Sequence, residues 1–539
     1  MAPSASVAQR LERLAPDQRA AATAPPGPVL CVAPAGSGKT TTLVARIAWL
    51  VDGGTDPAAI AAITFNKRAA EELEHRLNEA LEPLDVASGT VRVRTFHALG
   101  REILAAAGVP VEPLRDRDEV LREAVPSATA ATRRRLDTAI SRLKLDLRVD
   151  PKAIAGDPAA GPVALAWVAY ERVLRATGGL DFDDLVARSV ALLERDAGVR
   201  DAWRGRCSHL LVDEAQDLDR SQLDLALLLA APANRIFLVG DDDQSIYGWR
   251  LADVRRVLGL AASLPGLRRV DLVTNYRCPS TVVDRAVRLV EHNTERFAKR
   301  IRARVGASGP LILGADGRDE TERVRTLLLR WPATAATFAI LARTNRELLP
   351  AIAVAMDLGR PFRCAGASLL IEDERLDGWL DEVAPDGRRA RPLLARLGAW
   401  RDGPHSPAAP GDGLPAAVLA WAAGHRDLAS LRAAITEARR RLAELRRDDA
   451  PLTLATVHGT KGLEWDHVAV LGMETGRFPS RRAVDESTDP QRALEEERRL
   501  AYVAWTRARR SLTLLYDPDV PSPFLLEAFD PAELRAPAG

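Results

Sequence analysis

The sequence predicts an α/β protein with parallel sheets, because short apolar runs alternate along the chain with patterns typical of helices. Each run is followed by a polar turn and then by a helical pattern. The six runs lie at 28–34, 61–65, 209–214, 235–241, 338–343 and 467–473. Strands that alternate with helices pair in parallel. The chain has 539 residues, which predicts roughly three or four domains rather than one core.

Two mostly helical blocks interrupt this alternation, one between the second and third runs and one between the fifth and sixth. We interpret both as insertions. Pro/Gly-rich stretches at 155–162 and 402–415 predict loops inside them. Residues 430–447 predict a long, charged amphipathic helix. Its arginines are more typical of a solvated face than of a DNA-binding track.

Composition excludes several classes of protein. With 47% hydrophobic residues the chain is not disordered, and 75 Lys+Arg against 74 Asp+Glu leave a net charge of +1, so any nucleic-acid contact needs a local cleft. The cysteines form no CxxC pair, which argues against zinc, an iron–sulfur cluster or a disulfide framework; they are Cys31, Cys207, Cys278 and Cys364. Neither a signal peptide nor an 18-residue apolar run is present, so we expect a cytoplasmic protein without a membrane partner.

A phosphate-binding loop follows the first apolar run. Glycines let backbone N–H groups close around phosphate oxygens, Lys39 reaches the outer phosphates, and the Thr40 hydroxyl suits Mg²⁺. The segment consists of Ala33, Pro34, Ala35, Gly36, Ser37, Gly38, Lys39, Thr40 and Thr41. Ala33 stands where the strict pattern has glycine. A glycine-rich turn without a ligand is the alternative.

Two acids end the third apolar run, in HLLVDEAQD at 209–217. An apolar strand that ends in acids presents them at the sheet edge where ligands bind in open α/β folds. Asp213 is expected to support Mg²⁺ and Glu214 to activate the attacking water. A DE pair alone is more often a helix start; its position behind a phosphate-binding loop favours catalysis.

Further motifs resemble the superfamily 1 helicases of the UvrD/Rep type. They are VDEAQD (212–217), GDDDQSIYGWR (240–250), ITFNKRAAEEL (63–73), RTFHALG (94–100), DFDDL (181–185), NYRCPS (275–280), LARTN (341–345), TVHGTKGLEWD (456–466) and EEERRLAYVAWTRAR (495–509). The resemblance spans about residues 14–525 and is weakest over 375–450.

The resemblance implies two RecA-like P-loop domains, each with a mostly helical insertion, and ATP with Mg²⁺ in the cleft between them. The expected segments are 1–97 and 206–274 for the first RecA-like domain, 98–205 for its insertion, 275–346 and 451–539 for the second domain, and 347–450 for a reduced insertion.

Site roles follow where residues match the family's motifs. Gln18 would read the adenine edge, Tyr276 would stack on the base and Glu464 would approach the ribose. Arg277 and Arg507 resemble the arginines that reach the γ-phosphate from the second domain. The matching phosphate-to-DNA sensor is Gln244. An arginine delivered when a cleft closes couples hydrolysis to domain motion.

The family places DNA-binding residues across the top of both domains. The matching positions are Phe65, Asn66, His97, Tyr247, Trp249, Arg250 and His458. Aromatic rings suit a motor, since every base offers a π-face and stacking tolerates any sequence. Phe65 ends an apolar strand and has a core position as its alternative; the two histidines have capping or core positions as theirs.

The sequence departs from the family at three positions: Arg68 replaces a small residue, Leu251 replaces the glycine of WRG, and Trp505 replaces a small or aliphatic residue. The second insertion starts normally at 360–370, but it is short and shows no match to the Gly-Ile-Gly element that grips duplex DNA. Unwinding is therefore less strongly indicated than translocation.

The sequence as a whole predicts an ATP-dependent DNA helicase or translocase that moves 3′→5′ on single-stranded DNA. Single-strand/duplex junctions and DNA-repair proteins are the expected partners, and a monomer or weak self-association in a bacterial nucleoid is the expected state. Two alternatives remain: a translocase that strips proteins from DNA without separating strands, and a non-catalytic scaffold gated by nucleotide.

Overall fold

The computed structural model describes residues 3–149, 154, 161–331, 336–367, 369–383, 392–402 and 413–534. The chain forms two compact units. The first comprises Met1–Gly309 and Arg482–Thr506, and the second comprises Pro310–Arg481 and Arg507–Gly539. Apart from their ends, the loops predicted at 155–162 and 402–415 lie outside the described residues.

The first unit is built on a six-stranded parallel sheet. Its strands lie in the order Arg92–Thr95, Ile60–Thr64, His209–Val212, Ile236–Gly240, Val29–Val32 and Arg268–Asp271. Alternate residues of one strand enter different cores: Leu30 and Val32 pack on one face, while Val29 and Cys31 pack on the other. Both faces are therefore covered, which explains why these strands read as continuous apolar runs.

Helices cover both faces of this sheet and form the first insertion. The α-helices of the unit are Ala5–Glu12, Pro16–Ala22, Lys39–Asp52, Lys67–Leu81, Phe96–Ala106, Arg117–Ala124, Ala130–Ser141, Pro162–Ala176, Phe182–Arg195, Ala197–Arg206, Arg220–Ala230, Val254–Leu258, Leu260–Ser263, Ser280–Val290 and Pro490–Trp505, and short strands Thr274–Asn275 and Arg302–Ala303 pair beside them. Within the insertion, Trp167 and Tyr170 are buried in a separate apolar core. The predicted helical insertion is confirmed.

The second unit repeats the architecture. Its parallel strands lie in the order Phe362–Arg363, Leu452–Thr456, Phe338–Ala342, Trp465–Val470, Ala508–Tyr516 and Leu311–Ala315. Its α-helices are Glu320–Arg330, Leu349–Asp357, Arg375–Glu382, Leu393–Arg401, Leu414–Ala422, Leu428–Leu445, Pro523–Ala528 and Pro531–Leu534; Arg481–Asp485 lies at the boundary.

The second insertion is a compact helical body. Trp379, Leu397 and Leu431 lie in an apolar core that no strand residue enters among the described residues. The helix predicted at 430–447 runs over Leu428–Leu445, and its Arg439 pairs with Asp377 at 2.8 Å on the surface. These exposed ion pairs agree with the prediction of a solvated face.

One part of the chain is grouped differently from the predicted segments. Residues 275–309 pack with the first unit, and the second sheet begins at Leu311–Ala315. The helix Pro490–Trp505 also belongs to the first unit, although it follows most of the second unit in sequence. The six segments drawn from the resemblance stay a prediction.

Candidate nucleotide and DNA-binding site

The phosphate-binding loop connects the strand Val29–Val32 to the helix Lys39–Asp52. Gly36 and Gly38 have φ values of +67° and +83°, in the left-handed region that favours glycine. Space is also short, because a Cβ on Gly36 would lie 2.7 Å from the Arg277 Cβ.

A hydroxyl without a partner lies within this loop. Ser37 Oγ is buried and makes no hydrogen bond among the described residues. The Gln18 amide donates to the Ser37 carbonyl at 2.8 Å, and a Cβ on Gly38 would lie 2.5 Å from Gln18 Nε2. A loop of N–H groups at a helix start, with an unpartnered hydroxyl, suits a phosphate group. Gln18 thus lies against the phosphate-binding loop, and its adenine contact stays a prediction.

Lys39 and the two acids meet at the carboxyl edge of the first sheet. Lys39 Nζ lies 3.4 Å from Glu214 Oε2. Glu214 adopts φ +53° and ψ +44°, an uncommon conformation for a residue with a side chain, and its N–H donates to Asp213 Oδ1 at 2.9 Å. Strain of this kind concentrates at functional sites. Gln216 Nε2 donates to Glu214 Oε2 at 2.7 Å and so orients the carboxylate.

A buried hydrogen-bond chain joins the phosphate-binding loop to Gln244. Asp241 Oδ2 accepts from the Ala35 N–H at 3.0 Å and from Gln244 Nε2 at 2.6 Å. The Asp241 N–H donates to Gln216 Oε1 at 2.9 Å. The Asp241 carboxylate therefore connects Gln244 directly to the loop that would hold phosphate.

Three consecutive buried acids require compensation, which comes from residues that sequence analysis missed. Lys299 Nζ lies 2.8 Å from Asp241 and 2.9 Å from Asp243. Arg296 adds two contacts to Asp243, at 2.9 and 3.0 Å. Buried charges persist only when paired. Neither Lys299 nor Arg296 stands in a recognised motif. The run of three acids was the only feature of the sequence that indicated a need for basic partners.

Asn275 is a third residue that sequence analysis did not single out. Its Nδ2 donates to the Ala35 carbonyl at 2.8 Å, and its Oδ1 accepts from the N–H groups of Arg277 and Cys278 at 2.8 Å each. Asn275 thus fixes the NYRC turn against the phosphate-binding loop. On this turn the ring of Tyr276 is exposed, as stacking on a base would need.

Aromatic rings form a continuous surface in the first unit. The rings of Phe65 and Tyr247 stack, with centroids 5.0 Å apart and planes 13° apart. Tyr247 meets Trp249 edge-on at 6.2 Å, and the Arg250 guanidinium lies 5.0 Å from the Trp249 ring. Trp249 is 59% exposed, so it is not a core residue. Phe65 faces Tyr247 rather than the interior of the sheet.

The remaining predicted DNA residues of this unit lie at helix starts. Asn66 is exposed and its side chain accepts from the Ala69 N–H at 2.9 Å, which caps the helix Lys67–Leu81. His97 stacks on Phe182 at 4.0 Å. Phe182, in the DFDDL motif, is 53% exposed and was missed. Its presence as an aromatic residue in a quoted motif was the feature of the sequence that could have identified it.

Both predicted DNA-binding histidines are neutral at physiological pH. Burial, reinforced by the positive charge of Arg250, lowers the pKa of His97 to about 4. Burial and the charge of Arg343 lower the pKa of His458 to about 4. They offer stacking and hydrogen bonds rather than charge.

Two predicted nucleotide-site residues belong to the second unit. Arg507 is buried and its guanidinium donates to the Leu463 carbonyl at 3.3 Å. The neighbouring Glu464 lies 3.8 Å from Arg509. The turn before the strand Trp465–Val470 therefore holds both residues together.

The structure shows the setting of the three departures from the motifs. Leu251 adopts φ +69°, the left-handed conformation for which glycine is suited. Trp505 is completely buried, so a small residue here would leave a cavity in this chain. Arg68 is exposed, and nothing in the structure explains it.

Two parallel six-stranded sheets, the first with a P-loop at its carboxyl edge, define a P-loop protein with two RecA-like folds. Family models agree: the UvrD/REP helicase N-terminal domain matches residues 14–265, and the UvrD-like helicase C-terminal domain matches residues 425–518. The chain belongs to the UvrD/Rep helicase family.

Relatives match over most of the chain. The ATP-dependent DNA helicase Rep of Salmonella typhimurium is 29% identical, covering 96% of this chain and 94% of the relative. DNA helicase II of Escherichia coli is 29% identical, covering 95% and 85%, and the ATP-dependent DNA helicase PcrA of Staphylococcus epidermidis is 27% identical, covering 90% and 81%.

The alignment with Rep is longer than this chain. It spans 639 positions, whereas this chain has 539 residues, so at least 639 − 539 = 100 positions have no counterpart here. In the described part of the chain, no helix is both long and apolar enough to cross a membrane.

Proposed function

We propose that this protein is an ATP-driven motor that moves 3′→5′ along single-stranded DNA. One observation carries the proposal: the hydrogen-bond chain from the Ala35 N–H through Asp241 ends at Gln244, three residues before the aromatic ring of Tyr247. A short segment thus connects the phosphate-binding loop to a stacking surface. Hydrolysis that depends on DNA follows from such a connection.

The nucleotide chemistry is assigned to the carboxyl edge of the first sheet. Lys39 neutralises the outer phosphates, and Glu214 orients and activates the attacking water. Thr40 and Asp213 would hold Mg²⁺, which supplies charge neutralisation at the transferred phosphoryl group. The unpartnered Ser37 hydroxyl supports this assignment, because a phosphate oxygen would complete its hydrogen bonding.

DNA is assigned to the exposed rings of the same unit. Phe65, Tyr247 and Trp249 would stack on successive bases, and Arg250 would add charge for the backbone. Phe182 extends this set because its exposed ring already stacks on His97. Stacking reads no sequence, which suits stepping along any strand.

Steady-state ATP hydrolysis with and without poly(dT) tests the proposal. We expect slow turnover alone and strong stimulation by single strands. Equal turnover in both conditions would contradict it. Single-turnover reactions on 3′-tailed, 5′-tailed and blunt duplexes test the polarity, with the 3′ tail expected to be required.

Protein stripping without strand separation is the second candidate, and the shortened insertion favours it. Separating each base pair costs about 1.4 kcal/mol of stacking, which a motor overcomes by waiting for fraying or by gripping the duplex ahead. Since the second insertion is short and shows no match to the Gly-Ile-Gly element, we propose passive stepping. Streptavidin displacement should then exceed strand displacement, and unwinding should fall steeply on GC-rich duplexes.

Deletion of the second insertion distinguishes passive stepping from a compact duplex grip. Replacing residues 380–447 by a short Gly/Ser bridge removes most of the separate core around Trp379 and Leu431. Unchanged translocation with unchanged unwinding supports passive stepping. Selective loss of unwinding would instead make this small insertion the duplex grip. A role in DNA repair and an interaction with repair proteins stay predictions.

A further inference from the structure

Gly248 lies between the two DNA-facing rings of Tyr247 and Trp249 and is covered by Glu496. A Cβ on Gly248 would lie 2.6 Å from Glu496 Oε2 and 2.8 Å from its Cδ. The φ of Gly248 is outside the left-handed region, so backbone conformation does not require glycine here. Glycine is required here because the Glu496 side chain approaches closely.

Glu496 differs from its neighbours on the helix Pro490–Trp505. Glu495 accepts from the Thr294 N–H and hydroxyl at 2.9 and 2.6 Å, and Arg499 donates to the Glu295 carbonyl at 2.6 Å. These contacts fix the helix within the first unit. Glu496 itself makes no hydrogen bond or ion pair with any residue that the structure describes.

The environment of Glu496 suits packing more than charge. Burial raises the pKa of its carboxyl, although the more distant Arg492 and Arg499 act in the opposite direction. A carboxylate that bonds to nothing and lies against a glycine Cα acts through its volume. Its contact with Gly248 is therefore steric.

The same helix reaches the phosphate-binding loop two turns later. Tyr502 lies six residues beyond Glu496, a rise of about 9 Å along a helix. Its hydroxyl is fully buried, and the Ala35 backbone and the charge of Asp241 are among the groups that act on it. One rigid helix thus contacts the turn between the aromatic rings and the support of the phosphate-binding loop.

We propose that Glu496 is a positioning residue that holds the Gly248 turn against the helix Pro490–Trp505, so that DNA stacked on this turn is sensed at the phosphate-binding loop. The inference rests on the proposed function and adds the contact through which the Gly248 turn is connected to the phosphate-binding loop. Glu496 touches neither DNA nor nucleotide; it transmits the position of the turn. Tyr502 is the far contact of the same helix.

A double-substitution cycle tests this contact. The variants are Glu496→Ala, Gly248→Ala and the pair, with Glu496→Gln as the variant of equal shape. The measured quantity is the ratio of poly(dT)-stimulated to basal kcat, beside the melting temperature. Glu486→Gln is the matched control, since Glu486 is an exposed acid of the same unit that pairs only with Arg482 among the described residues.

We expect Glu496→Ala to lower the stimulation ratio about tenfold, within the usual range of coupling between two sites, and to leave basal kcat unchanged. Glu496→Gln and Glu486→Gln should resemble the parent protein. Gly248→Ala should lower the ratio alone but add little to Glu496→Ala, because the added methyl then fills the space left by the carboxylate. If Glu496→Ala loses its melting transition, Glu496→Asp replaces it in the cycle.

Three outcomes would overturn the inference. One is full stimulation in Glu496→Ala. Another is an equal effect of Gly248→Ala with and without Glu496, since the two sites would then not interact. The last is a Glu496→Gln defect as large as that of Glu496→Ala, since charge would then matter instead of shape. A parent protein that poly(dT) does not stimulate contradicts the proposed function instead.

Discussion

Replacing Trp249 by alanine should weaken single-strand binding and leave the protein folded. The ring is 59% exposed and has two ring contacts, the edge of Tyr247 at 6.2 Å and the Arg250 guanidinium at 5.0 Å. Such contacts are worth roughly 0.5–1 kcal/mol each at an exposed site. Stability should therefore fall by no more than about 2 kcal/mol, below the roughly 3–5 kcal/mol that loss of a buried Trp costs.

The same substitution should raise the Kd for single-stranded DNA substantially. Stacking contributes about 1–3 kcal/mol per base, which corresponds to roughly a 5- to 150-fold rise in Kd. Fluorescence anisotropy with labelled oligo(dT) measures Kd, and urea unfolding measures stability. Leu329→Ala is the control, because Leu329 is 65% exposed and lies outside the aromatic surface. Unchanged affinity, or a stability loss above about 3 kcal/mol, would refute the stacking role.

Three further predictions concern the nucleotide loop, the histidines and the turn. Lys39→Ala should weaken ATP binding, whereas Glu214→Gln should abolish hydrolysis but retain ATP and DNA binding; equal losses of ATP affinity would contradict the assigned roles. The free energy of unfolding lost as the pH is lowered from 6.5 towards 4 should be smaller in the double variant His97→Asn with His458→Asn than in the parent protein, because unfolded histidines bind protons that buried His97 and His458, with pKa values of about 4, exclude; urea titrations at several pH values measure the difference. Leu251→Gly should change the free energy of unfolding by less than about 1 kcal/mol, because relief of the left-handed conformation offsets lost apolar contacts; a urea-measured loss above about 3 kcal/mol would show that packing dominates.

The four interior strands of the first sheet and two of the second could be predicted from the sequence because they are buried on both faces, whereas the interior strands Leu452–Thr456 and Ala508–Tyr516 were not predicted. Runs such as 209–214 and 338–343 are apolar throughout, and the structure has strands at His209–Val212 and Phe338–Ala342. Strands nearer the sheet edges escaped prediction. Arg92–Thr95 alternates charged and apolar residues, and Phe362–Arg363 is only two residues long. Edge strands carry polar residues where one side meets solvent, so their apolar signal is weak.

The candidate site could be located from local motifs, but its supports could not. Lys39 and Glu214 stand in recognisable segments, and the structure brings them within 3.4 Å. Asn275 and Glu496 stand in quoted motifs, but their contacts with Ala35 and Gly248, like those of Lys299 with Asp241, join segments that are distant in sequence. No local pattern encodes those partners, because the fold alone creates the contacts.

The return of the helix Pro490–Trp505 to the first unit has a consequence for synthesis. Ribosomes add roughly 5–20 residues each second. The segment 1–309 therefore lacks its last helix for about 10–40 s, while the next 180 or so residues are synthesised. Until then the Asp241–Gln244 turn lacks the helix that packs on it. A fragment ending at residue 309 should consequently expose an apolar strip and aggregate, whereas adding residues 482–506 as a separate peptide should restore its solubility. The first unit is thus completed only after most of the second unit has been synthesised.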